Sequence, residues 1–223
     1  MRHSYERMNE STPSRQPPST EAGTRADLIR SGRTLFARLG FDGTSIRAIT
    51  REAGTNLGAV TYHFGSKRDL YGAVLESGLR PMAARVRAAV ESGGSARERM
   101  LRVVEAYFDH FESHPDLPHL LLQEVAAGKQ PPDVVLEIIG QVKDAVAGLH
   151  TEGLRDGSVR EGHPVLMALS VVSQPIYMTL IAPLLASVGG VDLSEPGVRQ
   201  TAKQHVLEFV NAGLEPRPRS TTK

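Results

Sequence analysis

Apolar residues recur along most of this chain at intervals of three and four, the spacing of one helix face. The first run, from about Thr24 to Leu39, sets Leu28, Gly32, Leu35, Phe36 and Leu39 on a common inner face. Gly40 ends it, and Phe41-Asp42-Gly43 makes a turn. Ile46, Ile49 and Ala53 then fall at i, i+3 and i+7 of a short helix beginning at Ser45, with Thr44 placed to cap it. Gly54 follows, where a chain leaving a helix often needs positive φ. Thr55 or Asn56 is placed to cap a second short helix through Leu57, Val60 and Phe64. Ser66 caps a long helix from Lys67, with Leu70, Tyr71, Val74, Leu75, Gly78, Leu79, Met82, Val86 and Val90 inward. Pro81 inside that pattern predicts a kink, because it lacks an N–H and clashes with the preceding turn.

The same periodicity carries on after the break at Ser92-Gly93-Gly94-Ser95. Met100, Val103, Val104, Tyr107, Phe108 and Phe111 mark an amphipathic helix stopped before Pro115, and Leu117 to Val125 a shorter one ending at Gly128. Pro131-Pro132 opens a helix with Val134, Val135, Ile138, Ile139, Val142, Val146 and Leu149 inward. A last helix, from about Glu195 to Ala212, aligns Val198, Ala202, Val206, Phe209, Val210 and Gly213. No stretch after residue 70 reads as a strand, and no internal repeat is present, so the fold class is all-α. Residues 1–23, rich in Ser, Thr, Pro and Glu, read as a disordered leader, and 216–223 as a flexible tail. The leader is either a spacer or an arm that adds phosphate contacts through Arg2, Arg7 and Arg15. Between them lie two domains, 24–72 and 73–215.

Composition changes this picture in three places. The chain has no cysteine, which excludes disulfides and thiolate metal sites, and its N-terminus has no apolar core of a secretory signal, so a cytoplasmic location is expected. Overall charge is nearly balanced, but residues 25–72 hold eight Lys/Arg against four Asp/Glu, while residues from 73 onward hold 15 against 18. The basic excess surrounds the paired short helices, as phosphate binding requires. The stretch Pro164 to Val191 carries no charge and is long enough to span a membrane. Pro175 and Pro183 interrupt it, Ser170, Ser173, Gln174, Thr179 and Ser187 recur through it, and no Lys/Arg cluster flanks it. A buried interface helix, with no membrane partner, is the expectation.

Two short helices meeting at a Gly-containing turn are what a DNA-binding helix-turn-helix requires. The segment AGTNLGAVTYHFGSKRDLY resembles the recognition helix and following turn of the TetR family of transcriptional repressors, and Gly40-Phe41 resembles that family's Gly-aromatic pair. The likeness covers residues 24–72, about a quarter of the chain. It implies an N-terminal three-helix DNA-binding domain and a larger C-terminal helical domain for ligand binding and dimerisation. Matched position by position, it implies base contacts from Thr55, Leu57, Gly58, Ala59 and Thr61, and phosphate contacts from Thr44, Tyr62, His63 and Lys67. Asn56 is either a polar reader or only a cap. Leu57, Gly58 and Ala59 offer no side-chain hydrogen bonds, so apolar contact and DNA shape should carry part of the specificity. Arg47 and Arg51 can reach phosphate or remain solvated.

The resemblance also implies a homodimer through the last two helices and a small-molecule effector. A two-fold dimer must set its reading heads roughly 34–36 Å apart, so the double-stranded DNA partner should be a palindromic operator. Candidate lining residues for the effector are Tyr107, Phe108, Phe111, Met167, Gln174, Tyr177 and Met178, Met and aromatic surfaces that suit an apolar or amphipathic ligand. A regulator controlled by a protein partner, or acting as an activator, is the alternative; a helical membrane or enzyme component is a remoter one. His110 and His114 sit at i and i+4, but HFESH is not HExxH and no third ligand is evident. The Gly65-Ser66-Lys67 sequence lacks the residues of a phosphate-binding P-loop. No metal, cofactor or catalytic residue is expected, and the chain reads as a regulator, not an enzyme.

Overall fold

In the computed structural model of the protein, which describes residues 21–128 and 130–216, helix α1 (Glu21–Gly43) opens the chain. Arg2, Arg7, Arg15 and nearly all of the expected leader and tail lie outside the described residues. α2 (Ile46–Glu52) and α3 (Gly58–Phe64) form the short pair, and α4 (Lys67–Glu91) is the long helix that follows. α5 (Ala96–Ser113), α6 (Leu117–Ala126), α7 (Asp133–Asp156), α8 (Pro164–Val188) and α9 (Pro196–Leu214) complete the chain, and no strand occurs among the described residues.

α4 joins the two halves. It packs on α1 and α3 near its start and on α5, α6 and α7 beyond, so one continuous core runs from Leu28 and Phe36 through Tyr71, Leu75 and Leu79 to Val103 and Ile138. A cross-section of close approach fixes its path: a Cβ added at Gly78 would lie 3.0 Å from Leu117 Cδ1, so a larger residue there would push α6 away. A second core, built on Met100, Val104, Leu149, Val171, Val206 and Val210, holds α8 and α9 against α5 and the end of α7.

Most of the expected inward residues are buried, and the exceptions have local causes. α1 starts at Glu21, before the expected Thr24, and continues as a helical turn through Phe41 after a break at Gly40, whose φ is 72°. Leu39, expected inside, is 47% exposed because that break ends the inner stripe one turn earlier. Ile139 and Phe209 likewise point outward, the latter 62% exposed beside the buried Val206 and Val210. α4 runs through Pro81, and α8 through Pro175 and Pro183, as single helices, so the prolines expected to interrupt the uncharged stretch do not end it. α8 is long and apolar enough to cross a membrane by length and composition alone.

A buried histidine, His110, should give the fold a pH dependence. His110 (1% exposed) stacks on His114 with ring centroids 4.3 Å apart. Burial, His114, Arg85 of α4 and Arg33 of α1 hold the His110 pKa down at about 4 from 6.5, against a bond to the Gly78 backbone carbonyl that raises it. The folded chain therefore keeps His110 neutral where the unfolded chain takes up a proton. Stability should be full above pH 6.5 and should fall as pH drops toward 4, by as much as about 3 kcal/mol. Urea midpoints between pH 7.5 and 5 check this against His110→Leu. An equally steep loss in that variant would assign the effect elsewhere.

Candidate nucleic-acid interface

The helix-turn-helix is built from backbone chemistry its sequence makes available. Ser45 is the N-cap of α2, its hydroxyl accepting from the Ala48 N–H at 3.1 Å. Thr44, the expected cap, instead turns inward: it is 2% exposed and its hydroxyl donates to Gly40 O at 2.7 Å. Thr44 thereby ties the end of α1 to the start of α2, and its side chain is withdrawn from phosphate. At the other end of α2, Thr55 N–H donates to Thr50 O at 2.9 Å and Gly54 N–H to Arg51 O at 3.3 Å. That pairing is a Schellman closure, which needs the left-handed φ of 67° that Gly54 supplies.

α3 starts without a side-chain cap. Leu57 occupies the cap position, so neither Thr55 nor Asn56 serves the role expected of them. Asn56 is exposed, which favours its alternative as a polar reader. Leu57 (51% exposed), Gly58 and Thr61 also face solvent, and Thr55 is half-buried. Ala59 does not join them: it is 8% exposed beside fully buried Val60 and packed in the head core. The outward face of α3 is therefore Leu57, Gly58, Thr61 and Tyr62, with Asn56 just before it.

Around this face stand the phosphate candidates. Tyr62 is 72% exposed, and its hydroxyl donates to Glu21 Oε1 of α1 at 2.8 Å, a bond with that carboxylate which raises the phenol pKa. His63 is half-buried, its ring 5.0 Å from that of Tyr62. Lys67, in the first turn of α4, holds its ammonium 4.3 Å from the Phe41 ring centre. Arg25 lies over Phe64 at 5.1 Å, and Arg47 and Arg51 are exposed on α2. The Glu21–Tyr62 bond, across 41 residues, has no sequence signal. A DNA phosphate must displace that carboxylate to reach Tyr62. Glu21→Ala should therefore tighten DNA binding by about two- to fivefold, the scale of one surface interaction; fluorescence anisotropy on matched DNA would show it, and unchanged affinity would place Tyr62 away from phosphate.

The expected effector-lining residues do not share one chamber. Phe108 and Phe111 line a cavity of about 370 Å³ with His119, Pro183, Leu193 and Arg199, between α5, α8 and the loop before α9. Met167 and Gln174 line another, of about 300 Å³, with Arg160, Phe209 and Val210. Tyr107, 3% exposed, packs edge-on against Phe111 in the core, and burial pushes its phenol pKa up. Tyr177 is 59% exposed, and Met178 is half-buried against the second core. The expected lining residues thus divide between two cavities, one against the C-terminal half of α8 and one against its N-terminal half, with Tyr107, Tyr177 and Met178 in neither lining.

A helix-turn-helix carried by a long helix into an all-α C-terminal domain is the architecture of a DNA-binding transcriptional regulator. Comparisons agree over both halves. Residues 28–74 match the bacterial regulatory proteins of the tetR family, and residues 97–210 match the tetracyclin repressor-like C-terminal domain. The HTH-type transcriptional repressor KstR2 of Rhodococcus jostii is 25% identical over 164 residues, 73% of this chain and 80% of that protein. The HTH-type transcriptional activator FasR of Mycolicibacterium smegmatis is 28% identical over 169 residues, 72% of this chain and 74% of its own. The solved ketosteroid transcriptional regulator KstR2 of Mycobacterium tuberculosis superposes with a TM-score of 0.68 at 20% identity, covering 86% of this chain and 95% of that one. A tetR-family regulatory protein from Rhodococcus RHA1 does so with 0.71 at 19% identity, covering 87% and 98%. The chain belongs to the TetR family of transcriptional regulators, and it is a DNA-binding regulator, not an enzyme.

Proposed function

We propose that this regulator is a cytoplasmic homodimeric repressor that binds a palindromic operator and leaves it when a small apolar or amphipathic ligand binds its C-terminal half. The observation that carries the dimer is the outer face of α8. Leu166, Leu169, Tyr177, Leu184 and Val188 are all more than half exposed, and at 100° per residue they fall within a stripe of about 100°. Met167, Ala168, Val171 and Pro175 are buried on the opposite side. A helix apolar on both faces within a helical domain needs a partner for the second face. We assign that face, with Phe209 of α9, to a second copy and not to lipid, because the flanks of α8 lack a basic cluster.

In this reading residues 24–72 read DNA and 73–215 regulate and dimerise. Asn56, Thr55 and Thr61 are the polar readers, Leu57 and Gly58 contact thymine methyls or let backbone approach, and Tyr62, His63 and Lys67 grip phosphate. The ligand acts by binding the DNA-incompetent arrangement more tightly, with α4 as the element both halves share. Gel shifts on the DNA flanking its own gene test the assignment. Tyr62→Ala and Lys67→Ala should each weaken binding across all sequences, and log affinity should fall linearly with log salt at about −0.9 per phosphate neutralised. Undiminished binding by both variants, or salt-independent binding, would refute the phosphate grips. Similarity to an activator as well as a repressor makes the sign of control a separate question. A reporter that falls when the gene is deleted would establish activation.

A further inference from the structure

Between the N-terminal half of α8 and the C-terminal half of α9 lies the cavity of about 300 Å³ that Arg160 lines. The backbone of Arg160 is clamped. Its N–H donates to Leu214 O at 2.9 Å, and its carbonyl lies 3.2 Å from Nε2 of fully buried His150. The guanidinium has no comparable tie. Its Nε is buried without an acceptor, and one terminal nitrogen rests 3.9 Å from Met167 Sδ, a weak acceptor.

The other half-buried arginines divide: Arg97 and Arg102 form no ion pair among the described residues, Arg102 donating instead to Ser92 Oγ and the Gly93 carbonyl, while three others are ion-paired. Arg33, Arg99 and Arg199, with side chains 24%, 13% and 27% exposed, meet Asp116, Glu152 and Glu112 respectively. Arg160 meets no carboxylate among the described residues. A guanidinium cannot shed its proton to escape burial, so a half-buried one facing a cavity calls for an anion. The rest of the wall completes a binding chemistry. Gln174, whose side chain makes no hydrogen bond among the described residues, and Ser170 supply polar groups, while Met167, Val171, Phe209 and Val210 supply apolar surface.

We propose that this cavity binds a small amphiphile with one anionic head, a carboxylate or a phosphate, held by Arg160, with its apolar body along Met167, Phe209 and Val210. The proposal rests on the effector reading above and gives it a location and a charge. Because the cavity is walled by α8 and α9 together, and Phe209 belongs both to it and to the outer apolar face, an occupant bears directly on how two copies pack.

Calorimetry on the full chain with octanoate, octyl phosphate and octanol tests it. At least one anion should bind, octanol should bind at least about tenfold more weakly, and the tighter anion identifies the head group; that ratio is the scale of a hydrogen bond to a charged group. Arg160→Gln should reduce the anions to the octanol level. Gly213→Leu should weaken all three, since Gly213 lines the cavity and a Cβ added there meets nothing within 4 Å, leaving room for a side chain at its wall. Arg155→Gln, at an exposed position of α7, should change nothing. Equal binding of octanol and octanoate, persistence of the preference in Arg160→Gln, or no binding by either anion would overturn the site. DNA gel shifts with the same probes separate the two claims. A neutral compound that releases DNA while the anions fail to bind sinks the site and spares the effector reading; anions that bind through Arg160 without altering DNA affinity do the reverse.

Discussion

Phe36→Ala should destabilise the protein by about 3–5 kcal/mol and abolish specific DNA binding. Phe36 is fully buried, meets Tyr71 edge-on at 4.8 Å and stacks on Phe41 at 6.0 Å. These three rings join α1 to α4 above the helix-turn-helix. α2 and α3 have seven residues each, too short to persist without tertiary packing, and they lean on α1 and α4 for it. A cavity in place of the ring removes that support, and against a total stability of about 5–15 kcal/mol the loss is large. The melting temperature should drop on the order of 10 °C, with DNA affinity lost before the signal from the C-terminal helices. Phe41→Ala, at a half-buried ring, should cost less. A shift of only a degree or two for Phe36→Ala, with operator binding intact, would show that α4 and the Ser45 cap suffice to hold the reading head.

How far the sequence disclosed this protein follows from the range of the interactions involved. Helical periodicity is set by neighbours three and four apart, so every helix was legible, and Leu28, Phe36, Ile49, Val60 and Tyr71 were correctly placed inside. Caps were less so. Thr44 and Ser45 are adjacent and both carry hydroxyls; the choice between them was made by the carbonyls of Leu35 and Gly40, which draw Thr44 inward. Ala59 illustrates a second limit. In Gly58-Ala59-Val60 all side chains are small, and only the packing of α3 shows that Ala59 faces the core. The effector residues show a third. The Met and aromatic surface points to Phe108 and Met167, but which cavity each lines depends on how α8 and α9 dock, and the charge in the second cavity, Arg160, sits in a loop with no motif around it.

Leu184→Glu together with Phe209→Glu should convert the protein to a monomer and remove operator binding while leaving the protomer folded. Both positions are 62% exposed in the single chain, so a carboxylate there remains in water and costs the protomer little. In a dimer packed through α8 and α9 the same carboxylates would be desolvated, and a two-fold axis brings each substitution twice into one interface. Each helix-turn-helix alone grips few phosphates and reads one half-site; joined, the second binds at the high effective concentration set by the first. Losing the junction therefore costs more affinity than losing any single contact residue. Light scattering should report half the mass of the parent, the thermal midpoint should change by no more than the loss of association explains, and gel shifts should keep only weak binding at low salt. If the double variant stays dimeric, the outer stripe of α8 serves another partner. A monomeric variant that still holds its operator at full strength would instead separate dimerisation from DNA reading, and the palindrome would have no physical basis.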